Sequence, residues 1–293
     1  MSTGLRPAIS VVIPFRGGSP AATRLLTALS RLDVSAADEL ILADNTEAGV
    51  LATIDTGAAR VVSAVAERSS YYARNAGARR ACGEWLLFMD SDCVPQQALL
   101  DAYFAEPVAD GCGALAGQIL GDPVQGSLAA RYARSRHIFD HEAGVLRAED
   151  GCAAAGNLLV RREAFERLGG FSEGIRSGGD VDLCRRLGAA GWDLEFRPLA
   201  LVHHRHRERL PSLLGAMVRY GAGSSWLNER YPGTSPRWPL RAGLTAAARD
   251  LAALAARGSY EAALFRAIDS AGLVAHNLGY LSGRRANVLR AQG

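Results

Sequence analysis

Four short apolar runs, residues 9–13, 40–43, 61–65 and 85–89, are interleaved with segments of helical spacing over the first third of the chain. Runs of four or five residues have the length of strands, while Leu25, Leu26 and Leu29 give residues 21–32 one apolar helical face. A second helix is predicted over 71–82. Strands that alternate with helices are joined by crossovers, so the expected fold class is α/β. Its central sheet should be Rossmann-like, mainly parallel and flanked by helices. Ligands of such sheets gather at the carboxyl ends of the strands. Trp85-Leu-Leu-Phe-Met-Asp-Ser-Asp92 delivers two carboxylates, Asp90 and Asp92, to that edge. Carboxylates at a buried edge need a cation or hydrogen-bond donors. Mg²⁺ or Mn²⁺, held by one or two carboxylates plus substrate phosphates, meets that need.

Beyond Asp92, Pro95 is expected to open a helix reaching Phe104, followed by a strand over 114–120 and a helix over 124–138. A strand over 157–160 then feeds a helix over 162–168, which Gly169-Gly170 stops. A helix over 180–190 would bury Val181, Cys184 and Leu187, and a strand over 194–196 precedes Pro198. From residue 210 strand signals vanish. Helices are predicted over 210–226, 241–256 and 260–281, giving an α/β domain over 1–209 with a C-terminal helical extension over 210–293. A net charge of +3 over 293 residues gives no ground for a nucleic-acid partner. Five scattered cysteines without Cys-x-x-Cys spacing argue against a disulfide framework or zinc ribbon, so reduced thiols and a cytoplasmic protein are expected. Residues 1–7 lack the shape of a signal peptide, and no apolar run approaches the roughly 20 residues that span a bilayer. The expectation is a soluble protein, at most membrane-peripheral.

Several polar clusters join the aspartate pair. Pro14 stops the first strand before Phe15-Arg16-Gly-Gly, and Asp44-Asn45 ends the second, where a carboxylate either accepts from a nucleoside or caps a turn. Neither a Gly-x-Gly-x-x-Gly nor a P-loop is present, so a bound diphosphate would need a metal for neutralisation. Arg74 and Asn75, near a helix start, are candidate donors to phosphate or sugar oxygens. Ser177-Gly-Gly-Asp180-Val-Asp182 sets two carboxylates in a first helical turn. Asp180, directly after the glycines, is the candidate general base, and Asp182 is left to anchor locally or face an acceptor. His203-His204-Arg-His206 offers imidazoles to a metal.

In this order the segments resemble family 2 glycosyltransferases, inverting enzymes of the GT-A fold. The resemblance rests on Val-Val-Ile-Pro14, Asp44-Asn45, Ala73-Arg-Asn-Ala-Gly77, Gly83 through Asp92, Gly156 through Phe165 with Leu168-Gly-Gly-Phe171, Asp180 through Leu187, and His204. It covers roughly residues 8–207 and implies a nucleotide-sugar half at about 1–105 and an acceptor half at about 106–209. It also implies that Asp44 and Asp90, with Pro14 and Arg16, face the donor, that Asp92 and His204 (or its neighbour His203) ligate Mn²⁺ or Mg²⁺, and that Asp180 is the base. Asn157 and Asp182 would stand on the acceptor side. Where the family usually has glutamate before that base, this chain has Gly179. The implied reaction moves a sugar from a nucleoside-diphosphate sugar, UDP by default, to a hydroxyl on a glycan, a lipid-linked or a small-molecule acceptor. Arginines beyond residue 206 would suit a peripheral membrane contact. An inert nucleotide-sugar-binding protein and a nucleotidyltransferase are the rival readings.

Overall fold

The computed structural model describes residues 6–139, 141–145 and 151–289. Two compact units result: one from Met1–Pro123, His137–Gly174 and Gly179–Arg205, the other from Val124–Arg136, Ile175–Gly178 and His206–Gly293. The strands are β1 (Ile9–Phe15), β2 (Glu39–Asp44), β3 (Arg60–Ser63), β4 (Trp85–Met89), β5 (Cys93–Pro95), β6 (Cys112–Gly121), β7 (Asn157–Arg161) and β8 (Asp193–His204). The helices are α1 (Ser19–Leu29), α2 (Ser70–Ala78), α3 (Leu99–Ala102), α4 (Leu128–Ser135), α5 (His141–Val145), α6 (Arg162–Arg167), α7 (Gly179–Ala189), α8 (Leu210–Arg230), α9 (Leu240–Ala256) and α10 (Tyr260–Asn287). All strands, with α1–α3 and α5–α7, belong to the first unit; α4 and α8–α10 belong to the second.

In the first unit the strands form one sheet in the order β3-β2-β1-β4-β7-β6-β8-β5. β3, β2, β1 and β4 run parallel, as do β6 and β8, while β7 and β5 pair antiparallel with their neighbours. The centre of the sheet is buried on both faces. Ile9, Ser10, Val11, Val12 and Ile13 are therefore all 0% exposed, and β1 shows no apolar–polar alternation. Ser69 caps α2, its hydroxyl accepting from the Tyr71 N–H at 3.2 Å. Gly77 lets that helix lie close over β1, since a Cβ there would stand 2.5 Å from Val12. Phe15 pairs with Asp44, and Val12 with Phe88, so the carboxyl ends of β1, β2 and β4 share one edge.

Several boundaries differ from expectation. The third strand ends at Ser63, opposite Asp44, the last residue of β2. Pro95 closes a strand instead of opening a helix, because residues 93–95 pair with the end of β8; the helix that follows is only Leu99–Ala102. β8 runs far beyond 194–196 and straight through Pro198. Its register against β6 jumps from Gly117–Arg197 to Gln118–Leu201, a bulge that absorbs a residue unable to donate to the ladder. α4 is shorter than 124–138, since Ser127 caps it at Ala130. On α7, Leu183 and Asp182 are buried where Val181 was expected; Val181 is half-exposed.

The second unit is built on α8 and α10, which touch backbone to backbone. A Cβ at Gly221 would lie 1.9 Å from the His276 carbonyl oxygen, and one at Gly279 would lie 1.9 Å from that of Val218. α9 packs on α10, and α10 is broken at Gly283, whose φ of 64° suits glycine. Among the described residues no helix is long and apolar enough to cross a membrane.

Candidate active site

β4 ends at Met89, and the next residues leave the sheet at its carboxyl edge. The chain then returns as β5, which hydrogen-bonds to the last residues of β8 with Cys93 opposite His204 and Val94 opposite His203. Arg205 N–H donates to the Asp92 carbonyl at 2.9 Å, locking this corner. Side chains alternate along a strand, so one of the two adjacent histidines is turned toward the aspartates and the other away. The turned one is His204. Asp90, Asp92 and His204 each bring one ligand atom into a group in which all lie within 4.8 Å of one another. His204 Nε2 stands 3.4 Å from Asp92 Oδ1, and its buried ring rests 5.0 Å from that of Phe139. Asp92 is exposed and Asp90 half-buried.

Arg74 joins this cluster to α7. Its Nη2 donates to Asp90 Oδ1, and its guanidinium packs 5.6 Å from the Tyr71 ring and 5.7 Å from the Phe171 ring. Arg74 is 5% exposed, and its Nε has no hydrogen-bond partner. The Tyr71 hydroxyl donates to Asp180 Oδ1 at 3.3 Å, and the Val181 N–H donates to the same oxygen at 3.1 Å. Burial pushes the Asp180 carboxyl above the ordinary carboxylate range. The Arg74 charge and nearby backbone N–H groups pull it partly back. Burial, then the Asp180 charge, hold the Tyr71 phenol well above its usual value, so it is a donor at neutral pH. Gly179 also has its reason here: a Cβ at that position would meet the Tyr71 ring at 2.9 Å.

The remaining sequence candidates lie in the first unit. Asp44 Oδ1 accepts from Thr46 N–H at 3.0 Å and from its hydroxyl at 2.5 Å, while Oδ2 accepts from Leu51 N–H at 2.8 Å. Asn75 ties α2 to the segment after α6, donating to the Phe171 carbonyl at 2.9 Å and accepting from its N–H at 3.0 Å. Pro14 lies within β1, and Arg16 is exposed just beyond its end. Asn157 is 0% exposed, accepting from the Tyr103 hydroxyl at 2.7 Å and donating to Ala200 and Gln118 carbonyls at 2.8 and 3.0 Å. Asp182 is likewise 0% exposed and accepts from Arg186 Nε at 2.9 Å and Ser172 Oγ at 2.8 Å. Tyr71 has no role in the sequence reading, and Arg74 enters it as a donor to phosphate or sugar oxygens. An aromatic beside the Arg-Asn pair was the one available signal.

Residues 10–169 match the model of the family described as glycosyl transferase family 2. The pre-mycofactocin glycosyltransferase of Mycobacterium tuberculosis is 31% identical over 235 residues, 76% of this chain and 48% of that protein. Glycosyltransferase AglE of Haloferax volcanii is 30% identical over 167 residues, 56% of this chain and 54% of that protein. The chain thus spans about half the length of the curated relatives it matches. Among solved structures, mannosyltransferase PcManGT from Pyrobaculum calidifontis, in complex with GDP-Man and Mn²⁺, superposes with a TM-score of 0.64 at 20% identity, covering 95% of this chain and 88% of that one. Glucosyl-3-phosphoglycerate synthase from Mycobacterium tuberculosis, in complex with Mn²⁺, UDP and glucosyl-3-phosphoglycerate, gives a TM-score of 0.52 at 20% identity, covering 76% and 80%. At these identities the superpositions establish a shared fold.

Proposed function

The chain belongs to glycosyl transferase family 2, and on that premise we propose that it transfers a sugar from a nucleoside-diphosphate sugar to an acceptor hydroxyl with inversion at the anomeric carbon. The observation that carries this reading is the meeting of Asp90, Asp92 and His204, with Arg74 linking Asp90 to the surroundings of Asp180. Two carboxylates and an imidazole fit Mn²⁺ or Mg²⁺, and a cation bound there would neutralise charge gathering on the leaving diphosphate. The Mn²⁺ complexes of the two solved relatives, one with GDP-Man and one with UDP, support the same assignment.

Asp180 takes the acceptor's proton. Burial raises its pKa, which makes it a better base than an ordinary aspartate. The freed oxygen attacks the anomeric carbon, and the bond to the diphosphate oxygen breaks on the opposite face. Tyr71 holds the carboxylate through its hydroxyl, and its ring fills the space where other members carry a side chain at the position of Gly179. Arg74, already committed to Asp90 by one nitrogen, has Nε left for a donor oxygen. Pro14 and Arg16 border the nucleoside at the edge of β1. Asp44 and Asn75 act by fixing the loops around it, and Asn157 and Asp182 by anchoring β7 and α7 beneath the acceptor. In this reading residues 1–209 hold the reaction and 210–293 form a C-terminal helical region.

The test is a reaction with a panel of UDP- and GDP-sugars, Mn²⁺ and hydroxyl acceptors, followed by proton NMR of the product. Release of nucleoside diphosphate with an inverted anomeric centre is expected. Pyrophosphate release or retention of configuration would overturn the proposal.

A further inference from the structure

The outer face of α10 carries an apolar stripe that nothing within its own unit covers. Tyr260 is 75% exposed, Leu264 51%, Val274 37%, Leu278 59% and Leu281 63%, with the exposed Ala267 and half-exposed Ala271 between them. The inner face of the same helix is the one that packs, through Ile268, Ala275, His276 and Gly279. Along the stripe the spacing is four, three, four, three, four, three. That is a 3.5-residue repeat, the period of a seam between two helices and not of a lone helix turned to water. It persists for about 32 Å of helix at 1.5 Å per residue.

The stripe is also symmetric in size about Ala271. Leu264 and Leu278 lie seven residues to either side, Ala267 and Val274 four and three, and Tyr260 and Leu281 eleven and ten. Laid antiparallel on a copy of itself, it would set leucine against leucine, alanine against valine and tyrosine against leucine, with a small residue at the crossing point. Self-complementarity of this kind is what a two-fold interface requires. The charges of α10 point the same way. Three of its ionic groups are held within the unit, Glu261 by Arg131 at 3.0 Å, Arg266 by Asp250 at 2.9 Å and Asp269 by Arg136 at 2.8 Å, and these offer little to an anionic lipid surface. The apolar area on offer is roughly 500–600 Å² per copy, at the upper limit for a patch on a monomer. Two such faces would bury about 1,000 Å², the threshold for a specific interface.

We propose that α10 is the contact through which two copies of this chain pair antiparallel across a two-fold axis at Ala271. The pairing is independent of the chemistry assigned to the first unit. Light scattering after size exclusion, on the full chain between 1 and 100 µM, should give the mass of a dimer. The double substitution Leu264→Glu and Leu278→Glu should return the mass of a monomer with an unchanged circular-dichroism spectrum, since both side chains already lie in water. Ala271→Cys, at the axis, should oxidise to a cross-linked dimer far faster than Leu264→Cys, whose counterpart lies about 20 Å away along the antiparallel helix. A wild-type monomer at 100 µM overturns the proposal, whether or not that monomer sediments with phosphatidylglycerol vesicles. So does a dimer that survives the double substitution.

Discussion

Tyr71→Phe removes one oxygen and leaves the ring that packs on Phe171 and Arg74 and fills the space beside Gly179. The lost interaction is a hydroxyl donating to Asp180 at 3.3 Å. A well-formed hydrogen bond to a charged group contributes about 1.5–3 kcal/mol, but O–H···O bonds of full strength measure about 2.5–3.0 Å, so about 1 kcal/mol is the appropriate figure here. Loss of that bond should therefore raise the Asp180 carboxyl further. The sign follows from which form is stabilised. The phenol donates to the carboxylate, so its removal disfavours the anion and adds to a value that burial has already raised. Arg74 on α2 and Cys184 one turn along α7 also face Asp180, and the substitution leaves both in place. Carboxyl ¹³C NMR of aspartate-labelled protein reads the titration directly, with Asp180→Asn assigning the resonance. In turnover, the acid limb of kcat/KM should move to higher pH as well. A midpoint that stays put or falls would refute the argument.

Asp180→Asn should lower turnover by about 10²–10⁴-fold, the usual range for general-base assistance, while nucleotide binding measured by calorimetry is retained. The same substitution should raise the melting temperature at neutral pH. A carboxyl whose folded pKa is raised stabilises the fold below its unfolded value and loses that contribution as pH rises through the folded one, so the gain over wild type should fade toward acid. Gly221→Ala should cost about 1–3 kcal/mol in chemical denaturation, because its Cβ would stand 1.9 Å from a carbonyl oxygen that belongs to the α10 backbone and cannot swing aside.

The sheet was legible because its central strands are buried on both faces, so residues 85–89 stand out as an unbroken apolar run and residues 9–13 as one interrupted only by Ser10. Asp90 and Asp92 were legible for the same reason, since the end of such a run locates the sheet edge. Long-range register was not legible. The choice between His203 and His204 depends on pairing between β5 and β8, more than a hundred residues apart in sequence. Pro198 reads as a break and Pro95 as a helix start although both lie in strands, one beside a bulge and one at the last position of β5. The partnership of Tyr71 with Asp180 spans 109 residues and has no local signature. Local periodicity also placed Val181 inside, where Asp182, satisfied by Arg186 and Ser172, fills the interior position.

On the proposed function, the Asp90–Asp92–His204 corner receives a diphosphate through a divalent cation. Calorimetric titration of UDP and GDP, with and without Mn²⁺, into wild type and Asp92→Ala tests it most directly. At least one nucleotide should bind in a manner that depends on Mn²⁺ and weakens by tenfold or more in the variant, about 1.4 kcal/mol. Binding of equal strength without the metal, or in the variant, would contradict it.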